Sequence, residues 1–129
     1  HQLKAFLPGG ASGGLLPAEK ADVPLDFGSL DELGCFIGSS AVVIFSQADN
    51  IASICKNLVS FFNDESCGQC TPCRVGSEKL LNLIENKKWD KRLIKELSSA
   101  MQDASICGLG QAAPNPVLSA IRFFPEQIK

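Results

Sequence analysis

A group of closely spaced cysteines constrains this chain more than any other feature. Cys67, Cys70 and Cys73 follow one another at intervals of three residues, and Cys107 stands much further along, in a Ser-Ile-Cys-Gly-Leu-Gly segment. Three thiolates on one short loop suit three corners of a cubic iron–sulfur cluster, and a distant cysteine can supply the fourth ligand. The spacing therefore predicts a [4Fe-4S] site held by these four cysteines.

Two other uses of the cysteines stay open on the residues alone. A zinc site built from four cysteines usually presents two separated Cys-x2-4-Cys pairs, whereas here the pattern is three plus one. Six cysteines in all would also permit disulfides, but no secretion signal is visible and disulfides are rare in the cytosol, where we expect this protein. Cys55 and Cys35 are predicted as thiols packed in the core.

Composition argues against several classes of function. A net charge of -2 provides no general attraction to nucleic acid or to an anionic membrane. No apolar stretch reaches the roughly 20 residues that a membrane-spanning helix needs, so we expect no insertion into a membrane. The one histidine is His1, which argues against histidine acid–base catalysis, Ser-His-Asp triads and mixed cysteine–histidine zinc sites. We therefore expect no catalytic residue in this chain.

The chain divides into two segments with different patterns. Residues 1–46 contain most of the glycines and predict strands at 3–7 and at 41–45, the second of them buried. Between these strands, Ser29 and Glu32 have the spacing of a capping box, which predicts a helix of about two turns. The glycine-rich stretch at 9–14 does not match the dinucleotide-binding pattern and is predicted as a plain turn, with a ligand-binding loop as the alternative.

Residues 47–129 have the apolar spacing of four amphipathic helices. Asp49 or Asn50 is predicted to cap the first helix. The second begins at Thr71-Pro72 with Thr71 as its cap, the third near Asp90 and the fourth near Asn115. Short connections between such helices favour a compact bundle. The predicted fold class is α+β, with a small α+β unit at 1–46 followed by a four-helix bundle at 47–129 that carries the iron–sulfur site.

The neighbours of the cysteines suit an anionic cluster. Gly68 permits a tight turn around the sulfurs. The start of the helix at Thr71 offers free N–H groups and the positive end of the helix dipole, and Arg74 adds a positive charge. Cys107 precedes a Gly-Leu-Gly stretch that is predicted as a loop able to approach the metal.

The motifs resemble a known family. ESCGQCTPCRVG followed by SICGLG is similar to the C-terminal part of the NADH-binding flavoprotein subunit of respiratory complex I and its relatives in NAD-reducing hydrogenases and NAD-dependent formate dehydrogenases. In the first segment, KAFLPGGASGGLLP, VPLDFGSL and GCFIGSSAVVIF resemble the β-grasp (SLBB) domain of that family. The resemblance implies that residues 1–46 are a partial β-grasp-like unit. PGGASGGLLP and CGLGQAAPNP resemble the formate dehydrogenase β subunit more than complex I itself.

The resemblance implies specific roles. In the family, NADH passes a hydride to FMN, and FMN releases electrons singly to a [4Fe-4S] cluster. The residues that match the four cluster ligands are Cys67, Cys70, Cys73 and Cys107. The residues that match the loop around the cluster are Ser66, Gly68, Gln69 and Thr71, and those that match the stretch approaching the flavin are Gly108 and Leu109.

The flavin- and nucleotide-binding signature of the family is missing here, so we expect a piece of a larger subunit that by itself binds neither FMN nor NAD well. The predicted function is to relay single electrons through the [4Fe-4S] cluster, between FMN and other clusters, in an NAD-dependent formate dehydrogenase. The alternatives are a flavoprotein subunit of NADH:quinone oxidoreductase or of an NAD-reducing hydrogenase, or a non-redox zinc or assembly module. The implied partners are a 2Fe-2S-type small subunit and a molybdenum, tungsten or other iron–sulfur subunit, with no nucleic acid.

Overall fold

A small antiparallel sheet precedes the helices in the computed structural model, which describes residues 2–128. Strand β1 is Leu3–Leu7, β2 is Leu16–Pro17 and β3 is Val43–Ser46, in the spatial order β2-β1-β3. Phe6 of β1 stands opposite Leu16 of β2 on one side and Ile44 of β3 on the other. His1, on which the argument against histidine chemistry depended, lies outside the described residues.

The central strand is buried on both faces, which explains why its sequence shows no polar alternation. Successive side chains of a strand point to opposite faces. Ala5 and Leu7 accordingly join the main core, whereas Phe6 joins a second cluster with Leu16 and Leu30. The strand predicted at 3–7 is confirmed.

The second predicted strand exists, but its predicted burial is wrong. β3 begins at Val43, and the exposed fractions of Val43 and Ile44 are 41% and 70%. β3 pairs with β1 alone and therefore lies at the edge of the sheet. A continuous run of β-branched residues indicates a strand, but the run by itself does not say whether anything covers it.

The predicted capping box is also wrong. Only a single 3-10 turn forms there, at Asp31–Leu33, and its N-terminal flank is Leu30 with no side-chain cap. The turn ends at Gly34. The glycine-rich stretch forms another 3-10 turn, at Ala11–Gly13, and a Cβ placed on Gly9 would lie 2.0 Å from the carbonyl oxygen of Ile37. Glycine there lets two backbone segments pack directly against each other.

Five helices follow the sheet within the described residues: α1 Ile51–Glu65, α2 Thr71–Glu85, α3 Lys91–Ala104, α4 Gly108–Ala112 and α5 Asn115–Phe123. The side chain of Asn50 caps α1 by accepting from the Ser53 N–H at 2.9 Å, and Asp90 caps α3 by accepting from the Leu93 N–H at 3.0 Å. The four predicted helices are confirmed. The loop predicted after Cys107 is wrong, because α4 begins at the next residue.

One apolar core joins the sheet to the helices, which confirms the α+β class. Ala5, Leu7 and Leu15 pack into the same cluster as the inward side chains of the helices. The helical side chains of this cluster are Ile51, Ile54, Cys55, Val59, Phe62, Leu80, Ile84, Ile94, Met101, Val117 and Ala120. Trp89, Ala113, Phe124 and Ile128 join it from the segments between and after the helices. The β-grasp character of residues 1–46, and their separation from 47–129 as a domain, stay predictions. Among residues 2–128, the helices all lack the combination of length and apolar character that crossing a bilayer requires.

Candidate metal centre

The loop between α1 and α2 carries the three closely spaced cysteines at different depths. Cys67 is exposed, Cys70 is half-buried and Cys73 is buried. Cys70 is the N-cap of α2, so the prediction that Thr71 caps this helix is wrong by one residue: Thr71 is the first helical residue and is followed by Pro72. The free N–H groups of the first turn of α2 therefore lie beside the cysteines, where they favour anionic sulfur.

Two polar side chains hold this loop in shape. The hydroxyl of Ser66 lies 3.2 Å from the sulfur of Cys73 and accepts a hydrogen bond from the Gly68 N–H at 3.3 Å. The guanidinium of Arg74 donates to the Gly68 carbonyl at 2.6 Å and to the Thr71 hydroxyl at 3.4 Å. Gly68 has φ 77, a left-handed conformation that favours glycine. These contacts tie the segment before α2 to the first turn of α2.

The segment around Cys107 lies against the same loop. Cys107 is the N-cap of α4, and α4 packs against α2 and α3. A Cβ placed on Gly110 would lie 2.8 Å from the Cβ of Cys73, so this approach requires glycine. The structure thus brings the distant segment to the three-cysteine loop, as the sequence predicted.

The cysteines differ in their acid–base behaviour. The pKa of the Cys70 thiol is lowered, first by the backbone N–H of Ile106 and next by that of Cys73. Burial raises the pKa of Cys55 to about 12 and also raises that of Cys35. Because thiolates and not thiols bind metals, the environment of Cys70 favours a ligand. Cys55 and Cys35 are both buried in apolar clusters, as predicted.

The sulfurs do not surround a single point. Among residues 2–128, no three His, Cys, Asp or Glu side chains are grouped closely enough to hold one metal ion. In a cubic cluster each cysteine binds a different iron, so the four sulfurs need not meet as the ligands of one zinc ion do. The assignment of the four cysteines as cluster ligands stays a prediction.

The residues present fit a cluster in three respects. All four donors are thiols, the donor set of [4Fe-4S] centres. Gly68 and Gly108 border open space, since a Cβ on either would meet no atom of the described residues within 4 Å. The side-chain oxygen of Ser105 is buried without a hydrogen-bond partner among those residues.

The other predicted site residues are spread around the loop. Gln69, Thr71 and Gly108 are exposed, whereas Leu109 is half-buried and packs against the helical core.

Two further residues of the site were not predicted from the sequence. They are Ser105 and Gln111, whose side-chain amide donates to the Ser105 carbonyl at 3.0 Å. The position of Ser105, two residues before Cys107, was a signal for the first. Nothing in the sequence indicated the second.

Known sequences resemble this chain over most of its length. Residues 53–129 match the family described as NADH-ubiquinone oxidoreductase-F iron-sulfur binding region. The chain is 37% identical to the HndC subunit of the NADP-reducing hydrogenase of Solidesulfovibrio fructosivorans, over 96% of this chain and 26% of that protein. It is 35% identical to the F subunit of the NADH-quinone oxidoreductase of Mycobacterium bovis, over 98% of this chain and 30% of that protein.

A solved structure has a similar fold. The crystal structure of NAD+-reducing [NiFe]-hydrogenase in the H2-reduced state superposes with a TM-score of 0.84 at 33% identity, covering 98% of this chain and 22% of the hydrogenase chain. The chain thus spans less than a third of the length of these similar proteins.

Proposed function

The chain belongs to the family of NADH-ubiquinone oxidoreductase-F iron-sulfur binding regions, and on that premise we propose that it carries single electrons within an NADH-binding flavoprotein subunit. Membership confirms the [4Fe-4S] cluster as the predicted cofactor. The observation that carries the proposal is the contact between the two cysteine segments. α4, which follows Cys107, packs closely on Cys73, since a Cβ placed on Gly110 would lie 2.8 Å from the Cβ of Cys73.

The residues of this chain hold and shield the cluster. We propose Cys67, Cys70, Cys73 and Cys107 as its ligands, since the bound cluster supplies one-electron chemistry that no side chain offers. Backbone N–H groups at the starts of α2 and α4 stabilise the negative charge on sulfur. Ser66, Gly68, Gln69 and Thr71 form the loop around the cluster. Gly108 is exposed and Leu109 is half-buried, and we propose that this stretch faces the flavin.

The named relatives favour some parent complexes over others. They are subunits of a hydrogenase and of NADH-quinone oxidoreductase, so we propose a parent of one of these two types. This was the alternative in the sequence analysis. The closer relation to formate dehydrogenase, with its molybdenum or tungsten subunit, stays a prediction that rests on PGGASGGLLP and CGLGQAAPNP alone.

The wider setting follows from the same proposal. The relatives are subunits by name, so we propose that this chain works among other subunits, including a 2Fe-2S-type small subunit, in the cytoplasm. FMN and NAD would bind to other parts of the flavoprotein. We propose that residues 1–46 contribute to an SLBB β-grasp domain, and the exposed apolar side chains of β3 support this, since a complete sheet would cover them.

Reconstitution with iron and sulfide under anaerobic conditions tests the function. We expect about four irons and four acid-labile sulfides per chain, and an electron paramagnetic resonance signal upon reduction. Serine in place of any of Cys67, Cys70, Cys73 or Cys107 should reduce the iron content. Cys55→Ala is the matched control and should keep the full cluster, because this thiol lies in the core.

Two results would contradict the proposal. One is anaerobically purified protein that contains zinc but neither iron nor sulfide, which would establish the structural zinc module instead. The other is a chain in which the Cys55 variant loses iron while the variants at the four proposed ligands retain it.

A further inference from the structure

One buried hydroxyl beside the metal centre has no partner in the protein. Ser105 is only 6% exposed, and its side-chain oxygen makes no hydrogen bond with any of residues 2–128. A buried hydroxyl without a partner is unfavourable, and native proteins rarely leave one so. Because this hydroxyl lies beside the cysteine loop, a cluster bound there is an available acceptor.

The backbone on both sides fixes where this side chain points. Ser105 ends α3, and its N–H donates to the Met101 carbonyl at 3.1 Å. Its own carbonyl accepts from the Gln111 side chain at 3.0 Å. Both backbone groups are thus already engaged, so the hydroxyl alone remains available.

The hydroxyl lies between α4 and the cysteine loop. A Cβ placed on Gly110 would be 2.5 Å from the Ser105 oxygen and 2.8 Å from the Cβ of Cys73. The hydroxyl therefore lies on the side of its segment where Cys73 is.

From this geometry we propose that the Ser105 hydroxyl donates a hydrogen bond to a sulfur of the cluster at Cys73 and raises its reduction potential. The inference rests on the proposed function. Reduction adds one electron and hence negative charge to the cluster, and a hydrogen bond to an ionised acceptor is stronger than one to a neutral acceptor. A donor at sulfur consequently stabilises the reduced form more than the oxidised form. Ser105 binds no iron; it tunes the cluster that the cysteines hold.

A second serine provides a matched control. Ser98 is 1% exposed, and its side-chain oxygen also lacks a partner among the described residues. It lies two turns earlier on α3, about 10 Å along the helix axis at 1.5 Å per residue. Removing its hydroxyl is the same chemical change at similar burial, away from Cys107.

The test is a redox titration of the reconstituted chain, followed by electron paramagnetic resonance. We expect Ser105→Ala to lower the equilibrium constant of one-electron reduction about tenfold, which is a shift of the reduction potential by about 59 mV in the negative direction. Ser105→Thr keeps the hydroxyl and should restore most of the potential, and Ser98→Ala should leave it unchanged. If Ser105→Ala folds but binds no cluster while Ser105→Thr binds it, that result also supports a hydrogen bond from the hydroxyl to the cluster.

Equal potentials for the Ser105→Ala chain and the unsubstituted chain would overturn this inference and leave the proposed function intact, since the cluster would still be present. An equal shift in Ser98→Ala would also overturn it, because the effect would then be a general loss of packing. If the unsubstituted chain binds no iron and sulfide, the proposed function itself fails, and the role of Ser105 fails with it.

Discussion

Cys70 and Cys55 show how strongly local surroundings separate residues of one type. Cys70 stands at the N-terminus of α2, where the Ile106 N–H lowers the pKa of its thiol. Cys55 lies on the buried side of α1, where burial raises the pKa to about 12. Position in the fold thus distinguishes a proposed metal ligand from a core residue.

Alkylation of the cluster-free chain by iodoacetamide should report this difference. Because the thiolate is the reactive form, a lowered pKa moves the reaction of Cys70 to lower pH than in the urea-unfolded chain. Cys55 should stay unmodified in the folded chain up to strongly alkaline pH, and should react once the chain is unfolded. Mass spectrometry of peptides after labelling at several pH values measures both.

A substitution at Ile106 provides the control for the lowered pKa of Cys70. Ile106→Pro removes the N–H that lowers the pKa of Cys70, so the reaction of Cys70 should move back towards higher pH. A Cys70 reaction profile identical in the folded and unfolded chains would contradict the assignment.

At the scale of elements, α4 decides whether the distant cysteine segment reaches the loop. This helix has five residues, too few to show a helical period in the sequence. Its packing depends on Gly110, whose Cα faces the Cβ of Cys73 across a gap that no side chain fits.

Gly110→Ala should therefore destabilise the cluster-free chain by about 1–3 kcal/mol through overpacking, measured by urea denaturation. The same variant should bind less iron on reconstitution, because α4 moves away from Cys73. Gly108→Ala places the same methyl group in the same helix, where it would meet no described atom within 4 Å. If the two variants are equally stable, the close approach of α4 to Cys73 is not a constraint.

At the scale of the whole molecule, the helices and the sheet share one core. Leu15, between the strands β1 and β2, is fully buried in the same cluster as the helices. Two polar contacts reinforce this union: Asn115 donates to the Ser12 carbonyl at 2.9 Å, and Arg122 donates to the Glu32 carbonyl at 3.0 Å. We expect the chain to unfold as one unit.

Leu15→Ala should lower the free energy of unfolding by about 2–5 kcal/mol. Two probes follow unfolding: the fluorescence of Trp89, which is buried among the helices, and hydrogen exchange of the β1 amides. The free energy of unfolding that each probe reports should fall by the same amount. Leu25→Ala, at a side chain that is half-exposed, should cost less than about 0.5 kcal/mol. Two separate midpoints would instead support independent units at 1–46 and 47–129.

The sequence predicted the elements that have a long period or a chemical signature. α1, α2, α3 and α5 each bury an apolar stripe over at least two turns, so their spacing was visible. The strand at 3–7 ended at a Pro-Gly pair, and the cysteine spacing alone indicated the cluster. These features depend on neighbours along the chain, which the sequence contains directly.

Tertiary structure alone decided the features that depend on what packs where. The exposure of Ile44, the helix α4 and the buried hydroxyl of Ser105 all result from contacts between distant segments. A run of residues can show that a strand or helix forms, but burial depends on which partner covers it. The physical reason is that local propensity acts over a few residues, whereas the core and the metal centre join residues many positions apart.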